Sequence, residues 1–215
     1  MASAGPRDPR RRETIRRLRG KRKSCANTLR STRGDGKEDA MLVSIGTAPQ
    51  HTVDAVDLLL ECHARIRSFT TLAKTIGETP ELGGEEVSDA CKRVARYFGE
   101  AFPLHMRDED ESLLPRLRGV DRKLDAALDE MADEHGTHGL ALASLLSVLK
   151  EVQDDPADAT HRVRLLTAAL LLEKLFAKHL AREEQVIFPA VRTLLDVKAR
   201  EAMLQEIRSR RMHFS

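Results

Sequence analysis

The stretch HLAREEQVIFP at residues 179–189 decides the fold, because nearly the same phrase stands earlier in the chain as HMRDEDESLLP at residues 105–115. Each copy places a Glu four residues after a His (Glu183 after His179, Glu109 after His105) and a Pro ten residues after it (Pro189, Pro115). On a helix, positions i and i+4 share a face about 5–6 Å apart, so each phrase aims an imidazole and a carboxylate at one point. That is how a helix presents a pair of metal ligands. Each His also has an upstream companion at a similar distance, His63 before His105 and His135 before His179. The chain therefore reads as one helical hairpin written twice.

Working outward, the apolar positions recur at helical spacing over four long segments. From Thr52 to about Ile76 the stripe is Val53, Val56, Leu59, Leu60, Ile66, Phe69 and Ala73, with His63 inside it and Gly77 as the expected stop. A second helix, about Glu85 to Leu114, carries Val87, Cys91, Val94, Phe98, Ala101 and Phe102 ahead of His105, Glu109 and Leu113. Pro103 sits inside it and predicts a bend beside the site. A third, about Asp121 to Val152, repeats Leu124, Leu128, Met131, His135, His138, Leu142, Leu145 and Leu149. A fourth, about His161 to Ile187, turns Leu165, Leu172, Phe176, His179, Glu183 and Val186 inward, and a short amphipathic piece follows from about Asp196 to Arg208. Short connections favour antiparallel neighbours, so the expected architecture is all-α: an up-down-up-down four-helix bundle over 50–192, with a short C-terminal helix within 193–215.

Composition agrees: aromatics make up 3% of the 215 residues, there is no Trp, and 33% are charged. The charge is unevenly placed. Residues 1–40 hold thirteen Lys and Arg against five Asp and Glu, so with +2 overall the rest of the chain is acidic. This stretch, with the few residues up to 45, is poor in large apolar side chains and reads as a disordered basic tail. Three readings of it stand: an arm for nucleic acid or another polyanion, a solvated tail, or sequence upstream of a true start at Met41. Cys25, Cys62 and Cys91 are odd in number and follow no metal-binding or disulfide spacing, which fits a reducing compartment. No apolar run reaches the length of a membrane span, and Arg11-Arg12 and Arg16-Arg17 are followed by no apolar signal region. The expected location is the cytoplasm, away from any membrane.

Each of the four bundle helices thus offers an inward His, and two add a Glu one turn on. A buried His alone is ordinarily a hydrogen-bonded core residue, and for His63 alone that reading would win. Six such groups (His63, His105, Glu109, His135, His179 and Glu183) converging in one core are electrostatically untenable without a cation. Imidazole and carboxylate without thiolate suit iron, manganese or zinc and exclude an iron–sulfur cluster. Six ligands from four helices divide best between two metals, with two His each and both Glu shared, leaving room for a small molecule.

The chain resembles a hemerythrin-like (HHE cation-binding) domain on the motifs ECHARI around His63, HMRDEDESLLP from His105, DEHGTHGL around His135 and HLAREEQVIFP from His179. The resemblance implies a bundle holding two non-haem iron ions, ahead of manganese or zinc, and binding oxygen or nitric oxide. It implies that His63 and His105 serve one iron, that His135 and His179 serve the other, and that Glu109 and Glu183 bridge them. The oxygen carriers of the family place a further His and an Asp where this chain has Gly139 and Glu184. His138, one residue early, is a fifth ligand, a partner of a ligand, or an inward packing residue. The pattern of four His and two Glu is more similar to the iron-sensing and iron–sulfur-repair branches, although nothing in residues 1–50 resembles the cysteine-containing domain of the repair proteins. Two functions follow as expectations: a sensor, store or scavenger of oxygen, nitric oxide or iron, or a di-iron enzyme such as an oxidase, peroxidase or repair factor that engages a diatomic ligand or peroxide. A third, a zinc-holding or metal-free bundle with a nucleic-acid arm, stays open. Tyr97, the only Tyr, lies too far before His105 for direct contact, and Cys62 and Cys91 read as small core residues rather than redox partners.

Overall fold

The computed structural model describes residues 53–212; the expected basic tail and the alternative start at Met41 lie outside them. Among the described residues five helices follow one another, and none is long and apolar enough to cross a membrane. Helix α1 is Ala55–Glu78. Helix α2 runs over 84–117, α3 is Arg122–Asp154, α4 runs over 159–194 and α5 is Val197–Met212. The first four pack in a ring in which each lies against the next and α4 closes on α1, the expected bundle.

Aspartates cap the starts of α1, α3 and α4. Asp54 and Asp57 form a reciprocal capping box at α1, with both bonds at 2.8 Å. Asp121 accepts from the amides of Lys123 and Leu124 at α3, and Asp158 from those of Thr160 and His161 at α4. Between α2 and α3, Gly119 takes a positive φ of 82°, and its amide donates to Asp125.

Helices α2 and α4 are not uniformly α-helical. In α2, Gly84–Arg96 is followed by a π turn at Tyr97–Ala101, then Phe102–Asp108, a second π turn at Glu109–Leu113, and Leu114–Leu117. In α4, Ala159–Arg182 is followed by a π turn at Glu183–Ile187 and then Phe188–Leu194. Each π turn ends in a five-residue-back bond (Phe102 N–H to Tyr97, Leu114 N–H to Glu109, Phe188 N–H to Glu183). The residue that closes each turn is followed at once by a proline, Pro103, Pro115 or Pro189. A proline has no N–H to donate and crowds the carbonyl four residues back, and a turn widened by one residue accommodates both facts. Pro103 thus brings a wide turn upstream of itself.

The extra residue shifts what faces inward. Ala101 and Val186, expected in the core, are exposed, Val186 at 45%, while Phe102 and Ile187 are buried. Val53 is also exposed, because it precedes the Asp54 cap. Gly77 does not stop α1, which continues to Glu78; its missing side chain instead admits α4, since a Cβ there would stand 2.7 Å from Leu166 Cβ.

Two apolar layers fill the bundle. At one end Leu59, Leu113, Leu117, Leu128, Met131, Ile187 and Val191 pack with Met203 and Ile207 of α5. Toward the other end Leu72, Ile76, Val87, Val94, Leu145, Leu149 and Leu165 are fully buried. In α1, His63 lies between Leu59 and Ile66, so the polar groups occupy the level between the layers.

Candidate metal centre

All six residues singled out in the sequence are brought together, and all are buried: His63, Glu109 and Glu183 at 0% exposure, His105 at 1%, His179 at 2% and His135 at 7%. They form two overlapping sets, His63, His105, Glu109 and Glu183 in one and Glu109, His135, His179 and Glu183 in the other, each with its ligand atoms within 4.8 Å of one another. Each Glu divides its oxygens between the sets. Glu183 Oε2 is 2.9 Å from His63 Nε2 and its Oε1 is 2.9 Å from His179 Nε2. Glu109 Oε1 is 3.1 Å from His105 Nε2 and its Oε2 is 3.3 Å from His135 Nε2. The paired phrases explain the symmetry, since Glu109 and Glu183 each open a π turn one helical turn after their own His.

These approaches are close but lack hydrogen-bond geometry. The Nε2 atoms of His63, His105 and His135 and all four oxygens of Glu109 and Glu183 are buried with no hydrogen-bond partner. A buried polar atom without a partner is costly, and so many acceptors facing one another fit a cation better than they fit one another.

The opposite nitrogens of three of the four histidines are engaged, and Nδ1 of His105 is buried without a partner. His63 Nδ1 is 2.8 Å from Glu184, which is gripped by both terminal nitrogens of Arg67 at 2.9 and 3.0 Å. His135 Nδ1 is 3.0 Å from Asp110. His179 Nδ1 is 3.1 Å from Glu134, itself paired with Arg182 and Lys178. A carboxylate on Nδ1 fixes the tautomer that leaves Nε2 free to ligate. Glu184 and Asp110 are the residues directly after the shared glutamates, and each holds a His of the other half of the chain. In the sequence Glu184 stands only at the place of an absent Asp ligand, and Asp110 and Glu134 are not among the expected site residues. The available signal was the second acid following Glu in both phrases.

Electrostatics follow from burial and contact. Full burial pushes His105 down to about 3. Burial also works against the charged forms of His63, His135 and His179, but their carboxylate partners outweigh it; His135 is pushed up to about 10 by Asp110 and Glu109. Burial and the neighbouring charge of Glu183 raise Glu109, whereas for Glu183 burial is overcome by the close imidazoles of His179 and His63. A cation entering here displaces shared protons.

His138 is buried and stays outside both sets; its ring lies edge-on to His179 at 4.5 Å and 5.1 Å from Phe176, and its Nδ1 has no partner. Tyr97 stacks on Phe69 and donates to the Cys62 carbonyl at 3.3 Å, away from the centre. Cys62 and Cys91 are buried and free. Burial raises both thiols, Cys91 to about 12, which leaves them as packing residues. Asp108, next to Glu109 and fully buried, is clamped from α5 by Arg210 at 2.9 Å and Arg211 at 2.6 Å.

A four-helix bundle with two His–Glu sets sharing both carboxylates defines a helical cation-binding protein. Residues 54–191 match the hemerythrin HHE cation binding domain, and the chain belongs to that family. It also shares 25% identity over 84 residues with an uncharacterised protein of Haemophilus influenzae, an alignment covering 38% of this chain and 49% of that one. The chain thus spans about half the length of the curated relative it matches.

Proposed function

We propose that the six residues hold two iron ions, one on His63 and His105 and the other on His135 and His179, bridged by Glu109 and Glu183, and that the centre binds a diatomic gas or senses iron. The observation that carries this reading is the division of each glutamate's oxygens between the two sets. Four protein ligands per ion leave coordination room, and a redox-active metal supplies the affinity for oxygen or nitric oxide that imidazole and carboxylate lack. The protein's part is to aim Nε2 of His63, His135 and His179 through their Nδ1 partners, to place Glu109 and Glu183 between the two sets, and to keep all six groups buried. A cavity of about 300 Å³ between α1 and α4 is lined by Ile66, Thr70, Phe176 and Leu180 together with the charged Arg67 and Glu173.

The test is metal analysis of anaerobically purified protein with absorption spectra before and after oxygen or nitric oxide. About two irons per chain, with charge-transfer bands that change on exposure, are expected. One zinc, or no metal, with featureless spectra refutes the gas-binding reading and leaves the fold standing.

A further inference from the structure

Buried side-chain atoms without a hydrogen-bond partner fall in two places among the described residues. One is the centre with His138; the other comprises Thr79 Oγ1 and Nε and Nη1 of Arg162, while His161 Nδ1 nearby in sequence lies 3.9 Å from Asp158 Oδ2. The two differ in chemical sense. Carboxylate oxygens and imidazole nitrogens dominate the first, whereas the second is dominated by donors, a guanidinium and a hydroxyl. By the reasoning that assigns a cation to the centre, the second place calls for an anion.

Arg162 is 6% exposed, and its Nη2 donates to the Thr79 carbonyl at 2.7 Å. It makes no ion pair among the described residues, and a guanidinium does not discharge by losing its proton. A buried charge in that position needs a counter-charge. Arg162 also lines a cavity of about 420 Å³ with Gly77, Pro80, Leu82, Gly84 and Pro156, where the α1–α2 connection meets the α3–α4 connection. Helix α2 begins at this cavity. Unlike α1, α3 and α4, which aspartates cap, it has Gly83 at its N-cap and no side-chain cap bond, so its first amides lack a side-chain acceptor. Glu85 and Glu86 in its first turn limit how much negative charge the place accepts, which favours a compact anion over a polyanion.

We propose that Arg162 and the uncapped start of α2 bind a compact oxyanion, a carboxylate or phosphate group, at the end of the bundle away from the metal centre. Arg162 lies seventeen residues before His179 on α4, roughly 25 Å at 1.5 Å per residue. Because the cavity draws on both connections, a bound anion ties the two hairpins together and stabilises the fold by mass action. The proposal does not depend on which metal the centre holds.

The experiment is thermal denaturation and titration calorimetry of the full metal-loaded chain with inorganic phosphate, malonate or chloride at constant ionic strength. A saturable rise in Tm with phosphate, malonate or both, and none with chloride, is expected; the anion that acts identifies the group bound. Arg162→Gln should weaken binding about tenfold or more, since a charged hydrogen-bond donor is removed. Because Arg162→Gln also deletes the bond to Thr79, Ala157→Phe is the second variant. It fills the cavity from an exposed lining position and should abolish the anion response while metal content and the anion-free Tm stay as in the parent. No saturable response in the parent protein, or an undiminished response in both variants, overturns the proposal.

Discussion

Glu184→Gln tests the division of the centre most directly. The Glu184 carboxylate accepts from His63 Nδ1 at 2.8 Å and from Arg67 at 2.9 and 3.0 Å. Burial works to raise its pKa, but the bonds from Arg67 and His63 outweigh burial and hold it below the ordinary carboxylate range, so it is charged at neutral pH. Gln keeps the shape and one acceptor oxygen but loses the charge. A hydrogen bond to a charged group contributes about 1.5–3 kcal/mol against about 0.5–1.5 for a neutral one, so the difference is about 1–1.5 kcal/mol. That corresponds to about tenfold in affinity, at the low end of the 10–100-fold seen for outer partners of metal-ligating histidines. The loss should fall on the ion held by His63 and His105. Asp110→Asn, which touches His135, should produce the mirror result on the other ion. Chelator-competition titration of anaerobic protein resolves the two ions as separate steps. Equal weakening of both steps by either substitution, or no weakening by both, refutes the assignment of one outer carboxylate to each set.

Two further outcomes concern the scaffold. In Gly77→Ala the new Cβ would stand 2.7 Å from Leu166 Cβ and 2.9 Å from its backbone N and Cα. The overlap outweighs the helix-propensity gain of about 0.5–1 kcal/mol, leaving a net loss of about 1–2 kcal/mol and a Tm lower by about 2–8 °C in calorimetry; an unchanged or raised Tm would show that α1 and α4 do not approach so closely. Replacing both Arg210 and Arg211 by Ala leaves the fully buried Asp108 carboxylate unpaired, at about 3–5 kcal/mol in urea denaturation. Adding Asp108→Asn should recover most of that loss, and a triple variant no more stable than the double would exonerate the buried charge.

The bundle was legible because its two phrases repeat and its apolar stripes recur at helical spacing over four long segments. The six central residues were legible for the same reason, since a Glu one turn after an inward His has few other uses. The π turns were not read, yet their trace is present. The buried series His105, Glu109, Leu113, Leu117 and the series His179, Glu183, Ile187, Val191 each advance by four three times running. An α-helix drifts by about 40° at each such step, so three in succession leave one face unless a turn is widened. Reading the stripe at the α period therefore sent Val186 and Ala101 inward, each beside or within a wide turn. The outer carboxylates were missed because they act across the bundle, Asp110 of α2 on His135 of α3 and Glu184 of α4 on His63 of α1, and sequence spacing carries no record of which helices are neighbours.

The same crossing has a meaning for how such a chain can be cut. Each set takes three groups from one hairpin and a single glutamate from the other, so neither hairpin alone owns a complete site. Severed between Asp154 and Ala159, the two fragments would regain their sites only by finding each other. In its arrangement the protein is a dimer of hairpins whose partners have been joined end to end, with ownership of the centre still held in common.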